Sequence, residues 1–494
     1  MGGWYGGGMA RERPNIVMIV IDDLGWADLG CFGSSFYETP RLDRLAADGL
    51  RFTDAYASCP VCSPTRASIM TGKYPANVGI TNYIAGNAWG KLMGVPYFHE
   101  LPREETTVAD ALRAGGYQTW HLGKWHLGPE GNWPEDRGFD VNLGGCHMGM
   151  PSGGNHYFSP YDIPTLHNGP EGEFLTDRLT DEAVALMRGR DRDRPFFMNL
   201  CHYAVHTPIQ APAELVAKYQ RKARELGLDP DGGLEVGEAF PCLHKKDQRV
   251  ARRRFQSHPT YAAMVENLDT NIGLLLDALD AEGLGKDTLV MFTSDNGGLS
   301  TAEGSPTCNA PLLEGKGWMY EGGNRVSQIA RWPGVIPAGT TTAEPVTSTD
   351  FFPTCLEAAG LELMPQQHED GVSMLAHMRG QAETLGREAI FWHYPHYSNQ
   401  GDAPAAAVRA GDLKLIQHFE DDRIELFDLT ADLSESRDLA AERPHDVARL
   451  RGMLEDWQSR IGAKIPDVNP DYQAMLSGAK PCPDGTGRIP GDDR

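Results

Sequence analysis

The chain has 494 residues, of which 40% are hydrophobic and 23% are charged, so it can bury the core of a large globular protein. Its formal net charge of −23 excludes the electrostatic footprint of a nucleic-acid-binding protein, and a long polyanion would be repelled unless a local cationic pocket received its end. No apolar run approaches the roughly 20 residues that span a bilayer, which excludes a membrane-spanning segment.

Between residues 14 and 345, short apolar runs alternate with helical patterns, which is typical of an α/β protein with a large, mostly parallel or mixed sheet flanked by helices. The runs "NIVMIVI" (15–21) and "TLVMFT" (288–293) are continuously apolar and predict strands that are buried on both faces. Amphipathic helices are predicted at 39–50, 107–116, 175–187 and 261–285.

A polar and partly basic stretch at 221–258, which includes "HKKDQRVARRRF", indicates an insertion into this pattern. Its ordinary interpretation is the solvated face of a helix, and the alternative is a substrate-binding patch.

After about Gly371 the pattern changes to antiparallel strands and a closing helix. We therefore predict a large α/β domain over residues 11–370 and a smaller C-terminal α+β subdomain, built on an antiparallel sheet, over residues 371–494. The segments that predict this subdomain are 388–397, 405–419, 423–429 and 445–461.

Nine cysteines are scattered along the chain without a repeated spacing, and their odd number argues against a disulfide framework. The first residues, "MGGWYGGGMARERPNIV", lack the apolar core and the cleavage site of a secretory signal. We therefore predict a cytoplasmic location, with a periplasmic or secreted location as the alternative if a leader segment precedes this sequence.

Polar side chains follow several predicted strands at the points where the strands end. Asp22 and Asp23 come directly after the first strand, and Asp295 and Asn296 follow a later one. Because ligands of open α/β sheets bind beyond the carboxyl ends of the strands, these side chains should meet at one edge. Their oxygens favour a hard cation, Ca²⁺ or alternatively Mg²⁺. Other predicted strands lead toward the same edge with Lys124, His126 and His206.

The segment "CPVCSPTRASIMTG" places Cys62 just before a short helix. Ser63 is a suitable N-cap, Pro64 suits the first helical position, and a glycine closes the helix. The helix N-terminus attracts anions, and Arg66 lies one turn further along on the same side. A thiolate is a soft ligand that fits poorly among hard oxygen donors, so an oxygen-based group is expected at position 62.

These residues resemble the type I sulfatases of the alkaline phosphatase-like superfamily, whose signature is Cys-x-Pro-x-Arg followed by a Thr-Gly turn. Cys59 does not fit that signature, and Thr65 stands where many members have serine. "PNIVMIVIDDLG", "GKWHLG", "VHTP", "SDNGG" and "GKGWMYEGGNRV" are similar to further segments, in the family's order. "YFSPYDIPTLHNGPEGEFLTDRLTDEA" and "FWHYPHYSNQG" are similar to bacterial carbohydrate sulfatases. The residues that match the signature are Cys62, Pro64, Arg66, Thr71 and Gly72.

The resemblance implies an alkaline phosphatase-like fold and a sulfuric ester hydrolase that releases inorganic sulfate. It implies an exo-type action on a sulfated carbohydrate of the galactose or N-acetylgalactosamine type, or on an aryl sulfate. It further implies that Cys62 is oxidised to formylglycine, whose hydrate attacks sulfur with one hydroxyl. The divalent cation is implied to bind residue 62 together with Asp22, Asp23, Asp295 and Asn296.

The resemblance also implies roles for the remaining polar residues. Arg66 and Lys124 would steady the hydrate and the negative charge of the transferred group. His206 with Lys316 would protonate the departing alkoxide, and His126 would take a proton from the second hydroxyl. In the C-terminal subdomain we predict a substrate-binding role, with aromatic packing as the alternative, for His393, His396 and Arg409.

The implied partners are a small sulfated substrate and a formylglycine-generating maturation enzyme, without nucleic acid, and self-association into a homo-oligomer is left open. One alternative function is a phosphodiester or phosphonate monoester hydrolase of the same superfamily. Another is a catalytically silent protein that binds sulfated glycans. A dithiol oxidoreductase built on Cys59 and Cys62 is disfavoured, because Pro64 and the clustered carboxylates would have no role in it.

Overall fold

The structure, a computed structural model, describes residues 13–86, 88–229 and 232–481. The outer ends of the two predicted domains, residues 11–12 and 482–494, lie outside the described residues, and the predicted boundary at residue 370 stays a prediction. Over the described part of the chain, no helix is both long and apolar enough to cross a membrane.

Strands and α-helices alternate along most of the described chain. The strands are β1 (Asn15–Ile21), β2 (Leu50–Tyr56), β3 (Gln118–Gly123), β4 (Val141–Leu143), β5 (Phe196–Cys201), β6 (Leu234–Ala239), β7 (Arg249–Arg253), β8 (Thr288–Ser294), β9 (Arg325–Arg331), β10 (Thr340–Thr342), β11 (Val346–Thr347), β12 (Ile390–Tyr394), β13 (Ala405–Ala410), β14 (Leu413–His418) and β15 (Ile424–Asp428). The helices are α1 (Pro40–Ala47), α2 (Cys62–Thr71), α3 (Pro75–Val78), α4 (Val108–Ala114), α5 (Leu175–Gly189), α6 (Ala213–Glu225), α7 (Pro259–Ala281), α8 (Glu321–Asn324), α9 (Phe351–Ala358), α10 (Leu375–Met378), α11 (Pro444–Arg460) and α12 (Tyr472–Leu476).

A mixed sheet of nine strands forms the centre of the described molecule, in the order β10-β2-β9-β8-β1-β5-β3-β4 with β11 beside β2. β1 is fully buried and runs parallel to both of its neighbours, β5 and β8. β9 is antiparallel to β2 and β8, which makes the sheet mixed. The parallel centre brings the carboxyl ends of β1, β5 and β8 to one edge of the sheet.

Helices cover both faces of this sheet. Helices α1, α5, α6 and α7 pack on one face, and α2, α3, α4, α9 and α10 pack on the other. Along β1 the side chains alternate between the two cores: Val17 and Ile19 belong to the first, whereas Ile16 and Met18 belong to the second. Each such burial stabilises the fold by about 1.5–3 kcal/mol. The predicted α/β class and the four predicted amphipathic helices are confirmed.

A separate antiparallel sheet, β12-β13-β14-β15, follows in the C-terminal part. Helix α11 covers one of its faces through Leu450, Leu454 and Trp457. The other face packs against the large domain, where Trp392 contacts the ring of Tyr56 on β2 at a centroid distance of 5.2 Å. The predicted antiparallel sheet and closing helix are therefore confirmed.

A buried ionic cluster links the two sheets. Lys414 on β14 pairs with Glu321 at 2.9 Å and with Glu435 at 3.0 Å, and these three side chains are 0% exposed. Arg409 on β13 pairs with Asp54 on β2 at 2.6 Å. Burial raises the pKa of Glu435 to about 7, whereas at Glu321 the effect of burial is outweighed by Lys414 and the pKa falls to about 2. The two carboxylates therefore depend on Lys414 for compensation.

The 221–258 segment begins in helix α6 and continues into a hairpin of β6 and β7. The solvated helix face predicted for "HKKDQRVARRRF" was therefore wrong. Val250 is fully buried, and it packs in a cluster with Leu299 and Trp318. Strand formation leaves Arg249 exposed while its neighbour Val250 points inward, because successive side chains of a strand alternate between its two faces. The hairpin is thus attached to the large domain.

Candidate active site

The carboxyl ends of the neighbouring strands β1 and β8 bring Asp22, Asp23, Asp295 and Asn296 together. Asn296 Nδ2 donates to Asp23 Oδ1 at 2.8 Å, and the backbone N–H of Asp23 donates to Asp295 Oδ1 at 3.3 Å. All four side chains are buried. Carboxylates held this close repel one another, so the cluster requires positive charge nearby.

Three buried cations supply that charge, and each carboxylate of the cluster accepts a charge-assisted hydrogen bond from one of them. The bonds run from Lys124 Nζ to Asp22 Oδ2 (2.7 Å), from Lys316 Nζ to Asp23 Oδ2 (2.8 Å) and from Arg66 Nε to Asp295 Oδ2 (2.8 Å). The formal charges of the three pairs cancel. Removing any one partner would leave an uncompensated buried charge.

The environment changes the pKa of two of these carboxyl groups in opposite directions. Burial raises the pKa of Asp22 to about 6, although the charge of Lys124 opposes the shift. Burial also disfavours the Asp23 carboxylate, but the nearby ammonium groups, Lys316 first and then Lys124, outweigh it and hold its pKa below the ordinary value. Asp22 is thus the carboxylate with the larger unmet demand for positive charge.

Two buried oxygens of the cluster, Asp22 Oδ1 and Asn296 Oδ1, accept no hydrogen bond from the described residues. Leaving such atoms unsatisfied is costly, so a bound group is expected to satisfy them. Ligand atoms of Asp22, Asp23 and His206 also lie within 4.8 Å of one another. An oxygen-rich donor set with open acceptors fits a hard divalent cation.

Cys62 lies beside this cluster at the N-terminus of α2. The helix begins at Cys62 itself and its N-cap is Val61, so the prediction of Ser63 as N-cap was wrong. The hydroxyl of Ser63 instead accepts from the backbone N–H of Ile84 at 3.1 Å, which fixes the loop above the helix. Cys62 Sγ lies 3.3 Å from His126 Nδ1, and the side chain is buried. Burial raises the pKa of the Cys62 thiol.

His126 follows β3 and has a φ of 56°, in the left-handed region. Burial, together with the charges of Lys124 and Arg66, holds its pKa well below the ordinary value, so the imidazole is neutral. The backbone of Gly149 passes so close that a Cβ at that position would lie 2.5 Å from His126 Cε1. A side chain at position 149 would therefore push the ring away from its place against Cys62.

Gly149→Ala is expected to displace the His126 ring and lower kcat by about 10- to 100-fold for the aryl sulfate that the resemblance implies as a substrate, because a shift of about 1 Å is costly in a preorganised site. The measurement is steady-state hydrolysis of an aryl sulfate, with circular dichroism to check folding. Gly452→Ala is the matched control, since a Cβ there meets no atom within 4 Å. Equal kcat for the two variants would contradict this role of Gly149.

Lys316 and His206 form a second pair beside Asp23. Lys316 Nζ lies 2.9 Å from His206 Nε2, and His206 Nδ1 lies 2.9 Å from the backbone oxygen of Thr207. Because an ammonium group only donates, Nε2 accepts and the ring proton is on Nδ1. Lys316 therefore holds a proton between a carboxylate and a neutral imidazole.

Three predicted substrate-binding residues form their contacts away from this cluster. His393 Nε2 bonds to the backbone oxygen of Lys464 at 3.0 Å, and His396 Nε2 bonds to Thr81 Oγ1 at 2.8 Å. Arg409 belongs to the ionic cluster between the two sheets. The structure does not bring them to Cys62, and their binding role stays a prediction.

Sequence reasoning missed Gly149 and Tyr83. The glycine-rich stretch around Gly149 is a signal for close backbone approach, but the sequence does not show that the partner is His126. Tyr83 lies in the loop fixed by Ser63, and both Cys62 and Lys316 affect the pKa of its hydroxyl, which burial raises to about 12. Its position depends on the folding of that loop over α2.

Comparison with known proteins identifies the family to which a chain with these site residues belongs. The family model "Sulfatase" matches residues 14–361, well over half of the chain, and the model "N-sulphoglucosamine sulphohydrolase, C-terminal" matches residues 313–459. The chain belongs to the sulfatase family. The resemblance stated from its motifs is confirmed, and the enzyme is a sulfatase, a hydrolase of sulfate esters.

Individual relatives agree with this assignment over nearly their full lengths. The sulfatase is 30% identical to N-acetylgalactosamine-6-sulfatase of Mus musculus, with 96% of this chain and 91% of the relative aligned. It is 34% identical to arylsulfatase A of Homo sapiens, with 93% and 87% aligned. The crystal structure of Ps i-CgsB in complex with k-i-k-neocarrahexaose is 28% identical, covers 95% of this chain and 98% of its own, and has a TM-score of 0.72. The fold is the alkaline phosphatase-like fold.

Proposed function

We propose that this sulfatase releases inorganic sulfate from a sulfated carbohydrate through an oxygen nucleophile at position 62 and a bound divalent cation. The observation that carries the proposal is the 3.3 Å contact between Cys62 Sγ and His126 Nδ1, at a helix N-terminus beside two oxygens that accept no hydrogen bond from the described residues. A position for the nucleophile, a neutral base and a set of cations for an anionic ester thus lie within one cluster.

The oxygen atoms of the cluster support both a divalent cation and an oxygen nucleophile at position 62. Asp22, Asp23, Asp295 and Asn296 would hold Ca²⁺, with Mg²⁺ as the alternative, because every donor is an oxygen. The bound cation would neutralise charge on the sulfate and on the oxygen of residue 62. Position 62 would carry formylglycine made from the cysteine, whose hydrate supplies one hydroxyl to attack sulfur and a second to release sulfate. A thiolate in this set of hard donors would be a poor ligand.

The residues next to position 62 hold charge and accept a proton. His126 Nδ1 faces the side chain of residue 62, and its low pKa leaves it free to accept a proton there. Arg66 and Lys124 are fixed by their carboxylate partners and keep positive charge where the transferred group becomes more negative. His126 would thus act as the base, and the two cations would stabilise the transition state.

Lys316 and His206 lie on the side of the site from which the alcohol leaves in this proposal. Burial disfavours the Lys316 ammonium, but Asp23 outweighs it and raises the pKa above its ordinary value, so Nζ keeps its proton. An alkoxide is a strong enough base to take that proton. Lys316, steadied by His206 Nε2 at 2.9 Å, would therefore protonate the leaving group.

Two relatives support a sugar as the alcohol. The mouse relative is named for N-acetylgalactosamine 6-sulfate, and the neighbouring structure contains a neocarrahexaose. An exo-type action on a galactose- or N-acetylgalactosamine-type sulfate follows by analogy. The test is a panel of mono-sulfated sugars, an aryl sulfate and an aryl phosphonate, and we expect the sulfates to react faster. Faster turnover of the phosphonate would instead identify a phosphonate monoester hydrolase.

Removal of the cation is expected to inactivate the enzyme reversibly. After treatment with a chelator, we expect activity to fall at least about tenfold and the melting temperature to drop, since a ligand at 100 times its Kd stabilises by about 2.7 kcal/mol. Adding Ca²⁺ should restore the activity and the melting temperature. Adding Mg²⁺ instead tests whether the alternative ion is sufficient. Asp22→Asn is the control, because it should lose the Ca²⁺-dependent thermal shift. Full activity in the metal-free protein would contradict the proposal.

A further inference from the structure

We propose that Glu303 determines substrate specificity by accepting a hydrogen bond from a hydroxyl of the sugar ring that carries the sulfate. The enzyme would thereby select a sugar whose only charge is that sulfate. This inference rests on the proposed function. It adds that the enzyme recognises a hydroxyl group of the sugar beside the sulfate ester.

Glu303 lies next to the pair that would protonate the leaving alcohol. Thr207, which directly follows His206, donates from Oγ1 to Glu303 Oε2 at 3.4 Å. Gln400 Nε2 donates to Glu303 Oε1 at 2.8 Å, and the Gln400 side chain is buried while Glu303 is exposed. After Asp23, the charge of Glu303 is among those that raise the pKa of Lys316, in keeping with its hydrogen bond to Thr207.

The two oxygens of Glu303 keep acceptor capacity for a ligand. Within the described ranges, its hydrogen bonds come from a hydroxyl and an amide, and no ion pair is formed. A carboxylate has about four acceptor positions, so room remains for sugar hydroxyls. A second sulfate or a carboxylate of the substrate would be repelled there, because none of the described residues forms an ion pair with Glu303.

The loop that presents Glu303 is fixed by the hairpin insertion. Glu303, Gly304 and Ser305 all have positive φ, at 54°, 90° and 43°. Ser305 Oγ donates to the backbone oxygen of Ala251 on β7 at 2.6 Å, and the backbone N–H of Arg253 donates to the oxygen of Ser300 at 2.9 Å. The strand therefore holds both ends of this turn.

The same insertion also fixes the loop that carries Gln400. His244 Nε2 bonds to Asn399 Oδ1 at 2.9 Å, and Lys245 Nζ donates to the backbone oxygen of Asn399 at 2.7 Å. Asn399 in turn donates from Nδ2 to the hydroxyl of Tyr83, which lies in the loop fixed by Ser63. Glu303 and its buried partner Gln400 are thus set in place by one structural unit, as expected for a recognition surface.

The test compares wild type with Glu303→Ala and Glu303→Gln on three substrates. These are an aryl sulfate, the best mono-sulfated sugar of the panel, and that sugar with a second sulfate. For Glu303→Ala we expect the ratio of kcat/KM for the mono-sulfated sugar to that for the aryl sulfate to fall by about 10- to 100-fold, as for loss of a charged hydrogen bond. Glu303→Gln should raise the relative kcat/KM for the disulfated sugar. Glu383→Gln, at an exposed glutamate, is the charge-matched control.

Each possible result either supports or overturns the role proposed for Glu303. A shift of the sugar-to-aryl ratio in the Glu303 variants but not in Glu383→Gln supports the assignment. Equal losses on all substrates, unchanged ratios, or wild-type turnover of the aryl sulfate but of no sugar would overturn it and leave sulfate-ester hydrolysis intact. Wild-type enzyme that hydrolyses no sulfate ester, with position 62 converted and Ca²⁺ present, would overturn both proposals.

Discussion

Cys62→Ala is expected to lower kcat for sulfate-ester hydrolysis by at least about a thousandfold, because it removes the only side chain that can carry the nucleophile at this position of the proposed mechanism. His126 would then face a methyl group instead of a proton donor. The measurement is hydrolysis of an aryl sulfate by purified protein, combined with the intact mass of the peptide that contains residue 62 in the wild type. That mass should show conversion of the cysteine.

Cys59→Ala is the matched control for this loss. Cys59 is also buried, but it packs in the cluster between the two sheets, where Tyr56 and Trp392 lie. Its replacement should cost about 1 kcal/mol of stability and leave turnover nearly unchanged. Substantial activity in Cys62→Ala, or equal inactivation of both variants with folded spectra, would contradict the role of position 62. An unconverted thiol and no activity in the wild type would favour a silent glycan-binding protein.

Lys414→Met is expected to lower the free energy of unfolding by about 3–5 kcal/mol, because it leaves Glu321 and Glu435 buried without their shared cation. Both carboxylates would then favour protonation. The measurement is the urea midpoint and slope at several pH values. Arg437→Met is the control, since its pair with Glu442 is 68% and 56% exposed and should contribute less than about 1 kcal/mol.

The cost of Lys414→Met should depend on pH in a defined direction. The pKa of Glu435 is already raised by burial to about 7 and should rise further without Lys414. A carboxyl group whose pKa is higher in the folded than in the unfolded state binds more protons when folded. It therefore destabilises the fold as pH rises from the unfolded pKa through the folded one. As the pH is lowered from 8 to 5, the free energy of unfolding of the variant should therefore rise toward that of the wild type. A difference between the two proteins that stays constant over this range would contradict the explanation.

Much of the fold could be predicted because local pattern and burial agree. The continuously apolar β1 and β8 are buried on both faces, so Asp22 and Asp295 at their ends lie together as parallel pairing requires. The Ser63 cap was wrong because a tertiary contact with Ile84 takes its hydroxyl, and local propensity does not include such contacts.

The β6–β7 hairpin and the contact between Glu303 and Gln400 could not be predicted from the sequence, because both depend on contacts between distant parts of the chain. In β7, a strand of mostly basic residues, Val250 and Arg253 are buried, whereas the ordinary interpretation of such a charge run is a solvated helix face. Glu303 and Gln400 are 97 positions apart, and nothing in either local pattern indicates that they meet. Long-range hydrogen bonds of this kind appear only when the loops are placed by the folded core.

The burial of Cys62 also constrains when the protein can be matured. The side chain is 3% exposed, and Gly317, from a much later part of the chain, donates its backbone N–H to Pro60 beside it. A modifying enzyme that must bind the peptide around residue 62 has no access to it, because every residue of α2 is buried. If residue 62 is converted, conversion must precede closure of the fold, while the polypeptide is still emerging from the ribosome or is unfolded. The fraction of competent molecules in any host would then be set by the relative rates of oxidation and folding.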